Sequence, residues 1–125
     1  MLTEKEQLFE KYKKRLTDPG DCEYYCVIYS EKMIGFFIIN KRHTEKIWAI
    51  YLLEDFRGKG FGKEILDFAI NEIKSVENKE ISLWVFEENI RAKKFYEKNN
   101  FSFGSTKREM EYGKPLVELR YVFNI

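Results

Sequence analysis

The residues with most to offer chemically are Arg57-Gly58-Lys59-Gly60-Phe61-Gly62-Lys63. Three glycines at alternate positions allow a tight turn and leave backbone N–H groups open to a ligand. The apolar run from Ile47 to Leu53 before them reads as a strand, and Glu64 to Val76 after them reads as an amphipathic helix. The first turn of such a helix offers unpaired N–H donors and the positive end of its dipole. Arg57, Lys59 and Lys63 add positive charge. The whole makes an anion site, with phosphate the leading ligand. Two phosphate motifs are excluded by residue type. A P-loop ending on Gly62-Lys63 would need glycine at position 57 and serine or threonine at position 64, where the chain has Arg57 and Glu64. A dinucleotide fingerprint starting at Gly58 would need glycine where Lys63 stands. What remains is R-x-x-G-x-G.

The elements that must position this loop follow from periodicity. Leu8, Phe9, Tyr12 and Leu16 mark one apolar face and predict a helix over Leu2 to Leu16, with Thr3 and Glu6 as a capping box. Asp18-Pro19-Gly20-Asp21 breaks it. Glu23 to Ser30 and Met33 to Asn40 read as strands joined at Glu31-Lys32, a two-residue connection without the favoured glycine or asparagine. After the basic loop Lys41 to Thr44, the run Ile47 to Leu53 is nearly all apolar, as expected of a central strand covered on both faces. In the helix behind the glycine loop, Ile65, Leu66, Ala69, Ile70 and Ile73 form one stripe. Asn78-Lys79 turns the chain into the strand Ile81 to Phe86. Asn89 caps a short helix, Ile90 to Lys98, which Asn99-Asn100 ends in a left-handed turn. Phe101 to Glu111 and Leu116 to Phe123 are closing strands around a turn holding Gly113 and Pro115. The two later helices are crossovers between parallel strands and the hairpins are antiparallel, which predicts an α/β (α+β) fold with a mixed, mostly antiparallel sheet flanked by helices.

Composition bounds the function. A chain of 125 residues is expected to be one domain, 1–125, with one core. A net charge of +1, from 22 basic and 21 acidic residues, supplies no basic field and argues against nucleic acid as a partner. Apolar runs fall far short of the roughly 18 residues a membrane span needs, and the charged start from Met1 to Arg15 has no signal-peptide core. Cys22 and Cys26 on one strand would lie about 13 Å apart, too far for a disulfide. Two free thiols fit a reducing cytoplasm. His43 is the only histidine, so no metal-ligand spacing is present.

A second stretch carries a family resemblance. Asn89, Ala92, Phe95, Tyr96, Lys98 and Phe101 fall on the pattern N-x-x-A-x-x-F-Y-x-K-x-G-F of the GCN5-related N-acetyltransferases, the GNAT family, with Asn100 in place of the usual glycine. R-x-x-G-x-G resembles the same family's acetyl-coenzyme A pyrophosphate loop, and Trp48 to Leu53 resembles its fourth strand, with Glu54 where many members have proline. The likeness spans Ile47 to Phe101 and implies an acyl-CoA N-acyltransferase fold in which the fourth and fifth strands splay apart around pantetheine. It further implies that the backbone of Leu52 and Leu53 pairs with pantetheine, that Arg57 and the amides from Gly58 through Lys59, Gly60, Phe61 and Gly62 to Lys63 hold the pyrophosphate, and that Asn89, Ala92 and Tyr96 flank the cofactor.

The reaction implied is acetyl transfer from acetyl-coenzyme A to a primary amine of a small molecule or peptide. A phenol near the sulfur can protonate the departing thiolate, which makes Tyr96 the candidate acid. An ammonium substrate also needs a base; Glu54 and Glu45 are the candidates, with His43 a further one and Tyr51 a candidate wall of the acceptor pocket. Family members begin with a strand before their first helices. This chain opens on a helix, so that first strand is expected to be absent, and a homodimer could cover the edge it leaves. The alternatives from other classes are a non-catalytic coenzyme A-binding or dimeric interaction module of the same fold, and a phosphate binder unrelated to acyl transfer.

Overall fold

Seven strands and two helices make up the described chain. The computed structural model describes residues 13–15 (backbone alone), 22–42, 44, 46–75 and 79–125. The order is β1 (Lys13–Arg15), β2 (Glu23–Tyr29), β3 (Lys32–Ile39), β4 (Ile47–Leu52), a 3-10 turn (Glu54–Phe56), α1 (Phe61–Lys74), β5 (Glu80–Phe86), α2 (Ile90–Lys98), β6 (Ser102–Glu111) and β7 (Pro115–Asn124). Contacts divide it into two compact units, Met1–Glu77 and Asn78–Ile125.

The first unit holds an antiparallel sheet of order β1-β2-β3-β4. Here two expectations are corrected. The span 13–15, expected as the end of a helix, is a strand pairing Lys13 with Tyr25 and Arg15 with Glu23. A strand therefore does precede Glu23, where none was expected. Cross-strand pairing outweighs local helical periodicity at so short a segment. The rest of the expected helix, with Thr3 and Glu6, lies outside the described residues, as do the turn at 18–21, His43, Glu45, Val76 and Asn78.

One face of this sheet is packed by α1. Val27, Phe37 and Ile39 are buried on the sheet side, and Ile65, Leu66, Ala69, Ile70 and Ile73 on the helix side. Each fully buried Ile or Leu contributes about 2 kcal/mol of apolar transfer. Tyr25 stacks on Phe37 at 4.7 Å, and Phe68 meets both edge-on at 5.5 and 5.8 Å. The Tyr25 hydroxyl shares its one proton between Glu23 Oε1 at 3.0 Å and Glu72 Oε1 at 3.3 Å. Lys41 Nζ reaches the same two carboxylates at 3.5 and 3.4 Å. Burial, and then the two carboxylates, push the Tyr25 phenol far above its ordinary range. It therefore stays a neutral donor between two acceptors, tying β2 to α1.

The apolar run at 47–53 is not a strand covered on both faces. It forms β4 at the edge of its sheet, and Trp48 and Tyr51 are exposed at 47% and 44%. The hairpin between β2 and β3 turns at Ser30-Glu31, one residue before the expected position, because Tyr29 pairs with Lys32. Ser30 (φ 50°) and Glu31 (φ 63°) are both left-handed. A two-residue loop of this kind demands that, although neither residue type favours it.

The second unit is an antiparallel sheet of order β5-β7-β6. β5 and β6 both oppose β7, so they run parallel to each other, as the crossover through α2 requires. Ile81, Leu83, Val85, Leu119 and Tyr121 supply its buried face.

Replacing Ser30→Asn together with Glu31→Gly removes two left-handed penalties of about 1 kcal/mol each. The double variant is expected to raise the urea midpoint at unchanged slope; a midpoint at or below the parent's would show that contacts of the native side chains hold the turn.

Candidate functional site

The residues of the glycine motif sit together in the first unit, at the end of β4. Leu53 N–H donates to Ile34 O at 2.8 Å. Together with the pairs Tyr51–Phe36 and Leu52–Gly35, this fixes which backbone groups face the neighbouring strand. Those of Leu53, Tyr51 and Ala49 point toward β3, and those of Leu52 and Ile50 point away. The Leu52 carbonyl is met at 2.8 Å by Arg57 Nε, whose side chain folds back past the 3-10 turn. Its guanidinium lies 5.8 Å from the Tyr51 ring centroid. Arg57, expected as a charge for an anion, thus first ties off the end of the strand.

Phe56 N–H donates to Leu53 O at 2.9 Å and Arg57 N–H to Glu54 O at 3.1 Å, which makes the 3-10 turn. Glu54 is exposed at its first position. Gly58 (φ 74°) and Gly60 (φ 91°) then adopt left-handed conformations. α1 begins at Phe61, three residues before the expected start, and so takes Gly62 and Lys63 into its first turn. Gly60 is its N-cap, and no side chain caps it. The first helical hydrogen bond is Glu64 N–H to Gly60 O at 3.2 Å. The amides of Phe61, Gly62 and Lys63 precede it, at the positive end of the helix. Gly58, Lys59 and Gly60 are exposed, so a ligand has access. Lys63 is paired with Asp67 at 2.7 Å, an exposed contact of small worth, and Lys59 lies 6.0 Å over the Phe56 ring. Backbone donors, more than side-chain charge, are what this loop offers an anion.

The other motif forms α2 of the second unit. Asn89 caps it, its Oδ1 accepting from Ala92 N–H at 3.1 Å. That bond commits the Ala92 amide and leaves the two Asn89 Nδ2 donors and a second lone pair on Oδ1. At the other end Asn100 is left-handed (φ 72°), as its place in the motif requires. Phe101 N–H donates to Tyr96 O at 3.0 Å and Asn100 N–H to Glu97 O at 3.3 Å. This is a Schellman closure, and its accompanying apolar contact is Tyr96 edge-on to Phe101 at 5.5 Å. Phe95 meets the same Tyr96 ring at 5.2 Å. Desolvation pushes the half-buried Tyr96 phenol up to about 12.

Two features of these surroundings went unforeseen. Tyr121 donates to Glu97 Oε2 at 2.7 Å and fastens α2 to β7. Burial, and then this carboxylate, push the Tyr121 phenol up to about 12 as well. The second is the fold-back of Arg57. Neither carries a sequence signal, since one is a contact across 24 residues and the other depends on the turn between. Among the described residues no group of His, Cys, Asp and Glu could hold a metal ion, and no helix is long and apolar enough to cross a membrane.

An uncapped helix head behind left-handed glycines, beside a strand edge, in an α/β chain makes a candidate backbone-built anion site. The family model of the acetyltransferase (GNAT) family matches residues 2–101, and the chain belongs to that family. An uncharacterized N-acetyltransferase of Methanocaldococcus jannaschii is 36% identical over 63 residues, which cover 50% of this chain and 28% of that relative. The spermine/spermidine N(1)-acetyltransferase of Bacillus subtilis is 28% identical over 107 residues, covering 75% of this chain and 70% of its own. The chain thus spans under a third of the first relative and over two thirds of the second. Among solved structures, a Bacillus anthracis protein in complex with acetyl coenzyme A matches with a TM-score of 0.74 at 22% identity, over 89% of this chain and 66% of that one. At that identity the likeness speaks for the fold.

Asn89→Ala is expected to cost about 1 kcal/mol of stability, measured by urea unfolding, through loss of the α2 cap. Asn89→Asp keeps the accepting oxygen and should recover most of it; equal losses in both variants would mean that the cap contributes nothing.

Proposed function

We propose that this chain transfers an acetyl group from acetyl-coenzyme A to a primary amine. The observation that carries the reading is the uncapped head of α1 behind left-handed Gly58 and Gly60. Family membership and a structural neighbour solved with acetyl coenzyme A support it. In this reading the amides from Gly58 to Lys63 receive the pyrophosphate. Of the two residues expected to pair with pantetheine, Leu52 is the better placed through its N–H, which points away from β3; its carbonyl is held by Arg57, and Leu53 N–H is bonded to Ile34. Asn89 offers its Nδ2 donors to the cofactor.

The neutral amine nitrogen attacks the thioester carbonyl, the C–S bond breaks, and the sulfur takes a proton as it leaves. Tyr96 supplies or shares that proton. Glu54, exposed at the end of β4, accepts the amine's proton directly or through water; Glu45 is the second candidate for this role. A cytoplasmic site and a homodimer belong to the same reading. Neither Cys22 nor Cys26 is in a disulfide, and β6 presents a mostly exposed strand at a sheet edge.

The experiment is coenzyme A release with a panel of primary amines: polyamines, amino acids, aminoglycosides and peptide N-termini. Binding of coenzyme A without transfer to any of them would favour a non-catalytic module. A Cβ built on Gly60 meets no atom within 4 Å, so Gly60→Val is expected to fold, at a cost of about 1–2 kcal/mol for its left-handed backbone. It should nonetheless lose coenzyme A affinity at least tenfold by calorimetry, and wild-type affinity in the folded variant would overturn the loop assignment. Tyr96→Phe should lower kcat by roughly 10²-fold, near the low end of general-acid effects, with affinity intact. The phenol holds its proton below about 12 and loses it only as pH rises through that value. Any fall in kcat at or below about pH 10 should therefore persist in Tyr96→Phe, because it belongs to another group.

A further inference from the structure

Two phenylalanines bracket the glycine loop, Phe56 immediately before Arg57 and Phe61 immediately after Gly60. Their rings meet edge-on at 5.9 Å. Both also meet the ring of Tyr29, at 6.4 Å for Phe56 and 5.1 Å for Phe61, again in edge-to-face geometry. Each ring of the three therefore touches the other two. Tyr29 is the last residue of β2, and its pairing with Lys32 across the hairpin sets it on the sheet.

The loop between the phenylalanines has little of its own to fix its shape. Gly58 and Gly60 are conformationally permissive, their surroundings are open, and the loop contains no proline. Its amides can act as an anion site only if they converge before the ligand arrives, since ordering them at binding would cost affinity. Arg57 Nε on Leu52 O secures one end. The ring cluster secures both ends against a strand.

We propose that Tyr29 is a positioning residue for this loop: through Phe56 and Phe61 it holds the two ends at a fixed separation and preorganises the amides from Gly58 to Lys63 for a pyrophosphate. This rests on the coenzyme A reading above. Tyr29 touches no ligand in this role, and the aromatic ring carries it.

The test compares coenzyme A, which carries the pyrophosphate, with pantetheine, which lacks it. Affinities are measured for wild type, Tyr29→Phe, Tyr29→Leu and Tyr29→Ala, each checked by circular dichroism and melting. Tyr29→Leu keeps most of the apolar volume and serves should Tyr29→Ala not fold. Loss of the ring should weaken coenzyme A binding roughly tenfold, leave pantetheine binding unchanged, and raise KM for acetyl-coenzyme A with little change in kcat. Tyr29→Phe should bind coenzyme A as wild type does. Wild-type coenzyme A affinity in folded Tyr29→Leu would overturn the proposal. So would equal losses for both ligands, which mark general loosening, or a Tyr29→Phe as impaired as Tyr29→Leu, which would move the role to the hydroxyl. Absence of coenzyme A binding by the wild type would instead bring down the functional reading, and this inference with it.

Discussion

The first amides of α1 must find hydrogen-bond acceptors, and Gly60 at the N-cap provides no side chain to cap them. The two helices make the contrast within one molecule. α2 begins on Asn89, whose side chain closes its own helix head. α1 begins on Gly60, which has no side chain and sits in a left-handed conformation that turns the chain sharply into the helix. A helix whose only task is to pack against a sheet gains about 1 kcal/mol from a polar cap. Forgoing it has a physical rationale where a ligand's oxygens are to take the cap's place.

The neighbouring elements are arranged around that opening. β4 ends where Leu53 makes the last bond to β3, and the 3-10 turn lifts the chain out of the sheet within three residues. Arg57 reaches back to the Leu52 carbonyl, which would otherwise be an unpaired acceptor at a strand edge. Lys63 is paired with Asp67. With a net charge of +1 on the whole chain, a general field offers an anion little, and any attraction must act locally at short range.

Where the sequence carries explicit boundary signals, reading it is reliable. Asn89 at one end and Asn99-Asn100 at the other place α2 at Ile90–Lys98 without error, because a polar cap and a left-handed stop are local chemistry. α1 starts three residues before the position its apolar stripe suggests, since glycines at 58, 60 and 62 look alike in a string while only the first two are left-handed and Gly62 is helical. Ser30 and Glu31 are left-handed without being residues that advertise it, so the hairpin was misplaced by one. The apolar run at β4 suggested burial on both faces, yet the strand lies at a sheet edge with Trp48 and Tyr51 exposed. Apolar composition reports what a strand can bury, and strand order decides what it does bury. The span 13–15 is a strand only by virtue of β2 alongside it, a partner that periodicity in the first segment cannot register. Of the candidate site, the glycine loop and the α2 motif were legible as patterns. The ties that give them shape were not, because Arg57 on Leu52, Tyr29 on Phe56 and Phe61, and Tyr121 on Glu97 are all side-chain contacts made after folding.

Tyr96 shows why a packing role and the chemical role proposed for it need not compete. Its ring makes the apolar contact that accompanies the Schellman closure of α2, against Phe101, and Phe95 meets it from its own helix. That packing removes water from the phenol, and desolvation alone is what lifts its pKa. A phenol held neutral by burial is always available as a hydrogen-bond donor at physiological pH. It is also a weaker acid than free tyrosine and than a thiol, so full proton transfer is uphill even to a fully formed thiolate. In the role proposed for Tyr96, the same burial would favour hydrogen bonding to the leaving sulfur over outright loss of the proton. Changing the ring's neighbours, Phe95 or Phe101, would alter the helix end and the acidity of the hydroxyl together, since one set of contacts governs both.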